Sequence, residues 1–282
     1  MRNSAIFGPA GKCEAAEAAK VKSTTQLLDF IAEKGLNAFE YQCGRGVNLS
    51  EEKANAIGER AAALGITLSL HAPYYISLAS EDEVKRENSI KYILDSARAA
   101  SWMGAERIVV HPGGLGKKSR SEAWLMASQT LLRAVEAVQA EGLNTIICPE
   151  VMGKINQLGD LTEVLNFCRL EPTLLPCVDF GHLNSRLHGE MSYTAALDEI
   201  FAALGEERAR LMHIHFSKIE YSAGGEVRHL TFDDNQFGPQ YEPLINELVS
   251  RSMTPTVICE SAGTQTLDAL TMKKLYENGG VA

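Results

Sequence analysis

Eight short apolar runs punctuate the chain: SAIFG, NAFEYQ, TLSLHA, RIVVHP, TIICPE, LLPCVDFGH, LMHIHF and TVICES. Each is followed by a polar stretch. Strands covered on both faces need not alternate between apolar and polar residues, so runs of this length bounded by turn residues read as strands of a buried parallel sheet. The segments between them include EEKANAIGERAAALG, SIKYILDSARAASWMG, EAWLMASQTLLRAVEAVQAEG and YTAALDEIFAALG. These carry helical periodicity, and several end in glycine, a common helix terminator. Eight such units in 282 residues give roughly 35 residues per unit, the spacing of a closed barrel. The pattern predicts an α/β chain forming one (β/α)8 TIM barrel over residues 1–282. A doubly wound open sheet ranks second, and the first strand lacks the G-x-G-x-x-G turn of a dinucleotide site.

Composition changes this picture little but narrows the function. No apolar run approaches the roughly 20 residues needed to span a bilayer, and the opening MRNSAIFGPAGK has no leader-type apolar core. The expectation is a cytoplasmic monomer with no membrane partner. The six cysteines lack a C-x-x-C pair. They read as reduced, and Cys148, Cys177 and Cys259 as small buried hydrophobes of the barrel wall rather than ligands. A net charge of −9 argues against non-specific coating of nucleic acid while leaving room for a local basic face.

The strand ends add chemistry. Six of the eight runs finish with a metal-capable side chain: His71, His111, Glu150, Asp179 with His182, His213, and Glu260. In a closed parallel barrel the C-terminal strand ends converge on one mouth, which turns this scattered list into a cluster. His215 would face the same side of its strand as His213, and His229 falls in the loop beyond. Imidazoles and carboxylates without thiolates suit zinc, with manganese or iron as alternatives. So many ligands suit two or three ions, and ions about 3.5–4 Å apart under a shared carboxylate suit phosphoryl hydrolysis.

The ordered set HAPYYISLAS, VVHPGG, CPEVMG, VDFGHLNSR, MHIHFSK, VRHL and ICES resembles the endonuclease IV family of apurinic/apyrimidinic endonucleases, over nearly the whole chain. The resemblance implies a barrel with three zinc ions. His71 and His111 would bind the first, and Glu150, the expected catalytic residue, would bridge it to a second held by Asp179, His213 and Glu260. His182 and His229 would hold the third. It also implies damaged double-stranded DNA as partner and hydrolysis of the phosphodiester 5′ to an abasic site. The chain departs from the family pattern at three places. Val227 stands where a carboxylate is expected, with Glu226 next to it as substitute; Val151 and Met152 follow Glu150; and GPQ occupies positions 238–240.

Candidate substrate contacts lie on the loops after the strands: Tyr74 and Tyr75, with Arg45, Lys117, Lys118, Lys154, Arg186 and Lys218. The resemblance favours Tyr74 as a wedge beside a flipped nucleotide. Two other readings stand beside this one. Glu150, Asp179, His213 and Glu260 could hold the single ion of a sugar isomerase or epimerase, or the barrel could bind damaged DNA without cleaving it.

Overall fold

In a computed structural model describing residues 3–281, ten strands and ten helices follow one another along the chain. Residues 1, 2 and 282 of the expected barrel lie outside the described residues. The strands are β1 (Ile6–Pro9), β2 (Ala38–Gln42), β3 (Thr67–His71), β4 (Arg107–Val110), β5 (Ile146–Pro149), β6 (Cys177–Asp179), β7 (His213–Phe216), β8 (Lys218–Ser222), β9 (Gly225–Leu230) and β10 (Thr256–Cys259). The helices are α1 (Glu14–Ala18), α2 (Thr24–Glu33), α3 (Glu51–Leu64), α4 (Glu83–Met103), α5 (Arg120–Ala140), α6 (Leu161–Leu170), α7 (Phe180–Arg186), α8 (Tyr193–Arg210), α9 (Tyr241–Ser250) and α10 (Gln265–Glu277). No described helix is long and apolar enough to cross a membrane.

Eight parallel strands make the TIM barrel as two half-barrels, ordered β1-β10-β7-β6 and β2-β3-β4-β5. Two seams close it. Bridges pair Ala10 with Glu40 between β1 and β2, and Glu150 with Cys177 between β5 and β6. All eight apolar runs supply a barrel strand, while β8 and β9 form an antiparallel hairpin at the mouth. His229 therefore sits on a strand rather than in a loop. Helix α4 begins ahead of its apolar pattern because Asp82 caps it, accepting from the Val84 N–H at 2.9 Å. Gly65 and Gly104 take the left-handed conformation that ends α3 and α4.

The main core lies between barrel and helices, and Val109, Cys148, Leu175 and Cys177 pack as a separate small cluster. All six cysteines are buried and free. Gly8 sets the spacing of the first seam, because a Cβ there would lie 1.7 Å from the Ala38 carbonyl oxygen. Both groups belong to barrel backbone and cannot swing aside. Gly8→Ala is accordingly expected to cost about 3 kcal/mol or more, read as a lower midpoint in denaturant with an unchanged slope.

Candidate metal centre

Five of the barrel strands, the first turn of α7 and the hairpin bring their polar ends to one cavity of about 480 Å³. Three sets of ligand atoms lie there, those of each set within 4.8 Å of one another: His71, His111 and Glu150; Glu150, Asp179, His215 and Glu260; and His182, Glu226 and His229. Glu150 belongs to two of them. Its Oε2 is 2.8 Å from His111 Nε2 and 3.3 Å from His71 Nε2, and its Oε1 is 3.2 Å from His215 Nδ1 and 3.4 Å from His182 Nδ1.

Neighbouring groups fix how the rings present their nitrogens. His71 Nδ1 donates to its neighbour's carbonyl, Ala72 O, at 2.8 Å, and His182 Nδ1 to Val151 O at 3.0 Å. His229 Nδ1 is paired with Ser217 Oγ at 2.8 Å. Each ring thus keeps Nε2 for the cavity. Asp179 ends β6 and caps α7, its Oδ1 accepting from the His182 N–H at 2.7 Å. Its buried Oδ2 has no hydrogen-bond partner. That oxygen lies 3.3 Å from His182 Nδ1, but the proton there is aimed at Val151.

The electrostatics favour a cation. Burial works against charge on His71 and His182, yet Glu150 beside the first and Asp179 beside the second raise them to about 9 and about 10. Burial alone would raise Glu150, but His111 and His215 hold it well below the usual carboxylate range. Protons here occupy positions that a divalent ion would take over. An orphaned carboxylate oxygen, a shared carboxylate and outward-facing imidazole nitrogens together make a donor set that fits divalent metal.

Several expected site residues are placed differently. His213 does not join Asp179 and Glu260; His215 does. The barrel register sets His213 level with Cys177 and His215 level with Asp179, so His213 lies one layer deeper, its Nε2 bonded to Glu40 Oε2 at 3.0 Å. Glu40, fully buried on β2, carries no role in the sequence reading. Its signal there is a lone acid inside an apolar strand. It also accepts from Ser69 Oγ at 2.9 Å and from Gln42 Nε2 at 3.2 Å. Burial would raise its pKa, but His215 and His213 hold it well below the ordinary value.

Among the basic candidates, Arg186 and Lys218 are occupied by the scaffold. Arg186 donates to the carbonyls of Met152, Lys154, Ile155 and Gln157. Lys218 is 3% exposed and donates to Phe232 O and Asp234 O. Lys118 is held by Ala79 O and Glu81. Lys154 lines the cavity, whereas Arg45 and Lys117 are exposed and are not among its lining residues. Tyr74 is 57% exposed and also lines it, with its ring 6.0 Å from those of His71 and His111. Tyr75, 58% exposed, does not line it.

The hairpin shows how Glu226 reaches the third set. Ile219 pairs with His229 and Glu220 with Arg228, but Tyr221 pairs with Glu226, which leaves Val227 as the extra residue of a β-bulge. Alternation would put residue 227 on the face of His229; the bulge shifts the phase, so Glu226 turns inward and Val227 is 50% exposed. Glu226 Oε2 lies 3.4 Å from His182 Nε2.

The family model of the xylose isomerase-like TIM barrel matches residues 28–276. The chain belongs to that family. An uncharacterized protein of Methanocaldococcus jannaschii is 34% identical over 275 residues, 96% of each chain. A probable endonuclease 4 of Mycoplasma genitalium is 28% identical over 211 residues, 68% of this chain and 71% of that one. The crystal structure of a D-tagatose 3-epimerase-like protein superposes with a TM-score of 0.72 at 22% identity, covering 97% of this chain and 96% of that one. That last likeness speaks for the fold alone.

As a xylose isomerase-like TIM barrel, the chain accommodates its three departures from the endonuclease IV pattern by backbone means. The bulge supplies Glu226 in place of a carboxylate at 227. Val151 and Met152 serve through their carbonyls, which accept from His182 and Arg186. Gly238 O accepts from the Ile219 N–H at 2.9 Å, and Gln240 O from Tyr193 Oη at 2.6 Å, tying the GPQ segment to the base of the hairpin and to α8.

Proposed function

We propose that the protein is a metal-dependent phosphodiesterase of the endonuclease IV type that cleaves DNA 5′ to abasic sites. The observation that carries this reading is the convergence of three ligand sets on one cavity, two of them sharing Glu150. An isomerase working with one ion needs only Glu150, Asp179, His215 and Glu260, and gives His71, His111, His182, Glu226 and His229 nothing to do. Zinc suits this donor set best, with manganese or iron(II) as alternatives.

Divalent ions held there would supply Lewis acidity, bringing the pKa of water towards neutrality and offsetting charge that builds on phosphorus. The chain's own residues set the rest. Glu150 keeps two ligand sets in register. Lys154 places a cation on the cavity wall where a phosphate would enter. Tyr74 offers an exposed aromatic face beside His71 and His111 against which a flipped abasic nucleotide could rest.

One observation favours a second reading, an epimerase or isomerase of small sugars. Arg186 and Lys218 are engaged with backbone carbonyls, which leaves the mouth less basic than its sequence suggests. The deciding experiment pairs a duplex containing one abasic site with an undamaged duplex and a panel of ketoses. Nicking 5′ to the abasic site, with a 3′-hydroxyl product and no ketose turnover, is the expected result. Ketose turnover without nicking would establish the second reading, and tight binding of the damaged duplex without nicking would make the protein a damage-binding barrel.

A further inference from the structure

Beneath the mouth lies a fourth set of ligand atoms, from Cys177, His213 and His215, within 4.8 Å of one another and fully buried. The sequence argues against cysteine ligation, and the structure gives two reasons to reconsider. His213 uses Nε2 on Glu40, and its Nδ1 is buried with no hydrogen-bond partner. His215 turns Nδ1 up towards Glu150, and its Nε2 likewise has none. Glu40 Oε1 does lie 3.0 Å from that Nε2, but the pair is too poorly aligned to count as a hydrogen bond. A core that satisfies Glu40 with Ser69, Gln42 and His213 leaves two imidazole nitrogens unsatisfied in one layer. Buried polar atoms without partners are rare, and a bound ion is one of the ordinary ways in which they are satisfied.

We propose that Cys177, His213 and His215 form an additional site for one divalent ion of the zinc class, inside the barrel and below the cavity, through the Cys177 sulfur, His213 Nδ1 and His215 Nε2. One thiolate and two imidazoles are donors of the kind zinc takes, while Glu40 holds the His213 ring in place through its Nε2. The thiolate would offset one charge of the ion, and the Glu40 carboxylate, 3.0 Å from a nitrogen of each imidazole, places a second negative charge beside the site. Given bond lengths of about 2.0–2.3 Å, ligands of one tetrahedral ion sit roughly 3.3–3.7 Å apart; drawing these atoms onto an ion needs shifts of about an ångström. With the ion, His215 would serve both sets of ligands only as an imidazolate, giving up its remaining ring proton, and the two ions would share that negative charge.

This inference does not depend on the phosphodiesterase reading. Its test is X-ray absorption on the zinc-loaded protein together with a cobalt-substituted sample. A zinc–sulfur scattering path near about 2.3 Å and a thiolate-to-cobalt charge-transfer band are expected, since Cys177 is the one cysteine in any ligand set among the described residues. Cys177→Val, close in size, should remove both signals and lower the ion content by one per chain, while Cys148→Val should change neither. If the loaded wild-type protein shows no sulfur around its metal, the proposal is overturned without any variant having to fold. Ions present without sulfur would sink this proposal and leave the upper sites intact; a protein retaining no ion at all would end both.

Discussion

Glu150→Gln is expected to lower the proposed cleavage of abasic DNA by at least about a thousandfold and to reduce the metal retained by the proposed centre. The substitution keeps the volume of a fully buried side chain and removes its charge. That carboxylate touches His71, His111, His182 and His215, and it belongs to two ligand sets. An amide offers one acceptor where two are needed and no charge to offset two cations. Losing about 4 kcal/mol of the electrostatic stabilisation that paired metals provide corresponds to a thousandfold in rate. Steady-state nicking and elemental analysis of the same samples check both halves. Activity near wild type would remove Glu150 from the proposed centre.

The second large effect belongs to the hairpin. Glu226→Ala should weaken retention of an ion by the His182, Glu226 and His229 set by at least about a hundredfold, more than the loss of a supporting hydrogen bond to a ligand produces. Val227→Asp, by contrast, should change little. Sequence spacing alone makes 227 the natural place to restore a carboxylate, but the bulge turns that position outward. Deleting Val227 is the informative third variant. It removes the bulge and leaves Glu226 two residues before His229, where regular alternation keeps both on one face; the ion should be retained. Chelator titrations on the three proteins separate these outcomes. Strong gain of retention in Val227→Asp would mean that Glu226 does not face the cavity in solution.

The architecture was legible because the barrel strands are largely buried and announce themselves as apolar runs, six of the eight breaking the pattern at their ends in favour of histidine or carboxylate. What the sequence could not decide was depth. His213 and His215 share a face by alternation, and only the pairing of β7 with β6 sets which one stands level with Asp179. Glu40 escaped notice because its histidine partner His213 is 173 residues away. Arg186 and Lys218 sit where loops meet the mouth, as their positions suggest, but a side chain's address does not reveal which carbonyls compete for it. The bulge at Val227 is a property of register between two strands and has no signature in either one.

The two seams of the barrel each carry a buried glutamate, Glu40 at one and Glu150 at the other. Backbone bonding across them is thin: Asn37 N–H to Phe7 O and Gly11 N–H to Glu40 O at the first, Val151 N–H to Cys177 O and Leu175 N–H to Ile147 O at the second. Both carboxylates reach from the β2–β5 half to histidines of the other half. The polar centre thus acts as a hoop around two sets of staves, and charge added to or withdrawn from it changes how readily the staves part. Deuterium uptake should register this. On stripping metal, the amides of Gly11, Asn37, Val151 and Leu175 should exchange sooner than those in the middle of either half, where every strand has bonded neighbours on both sides.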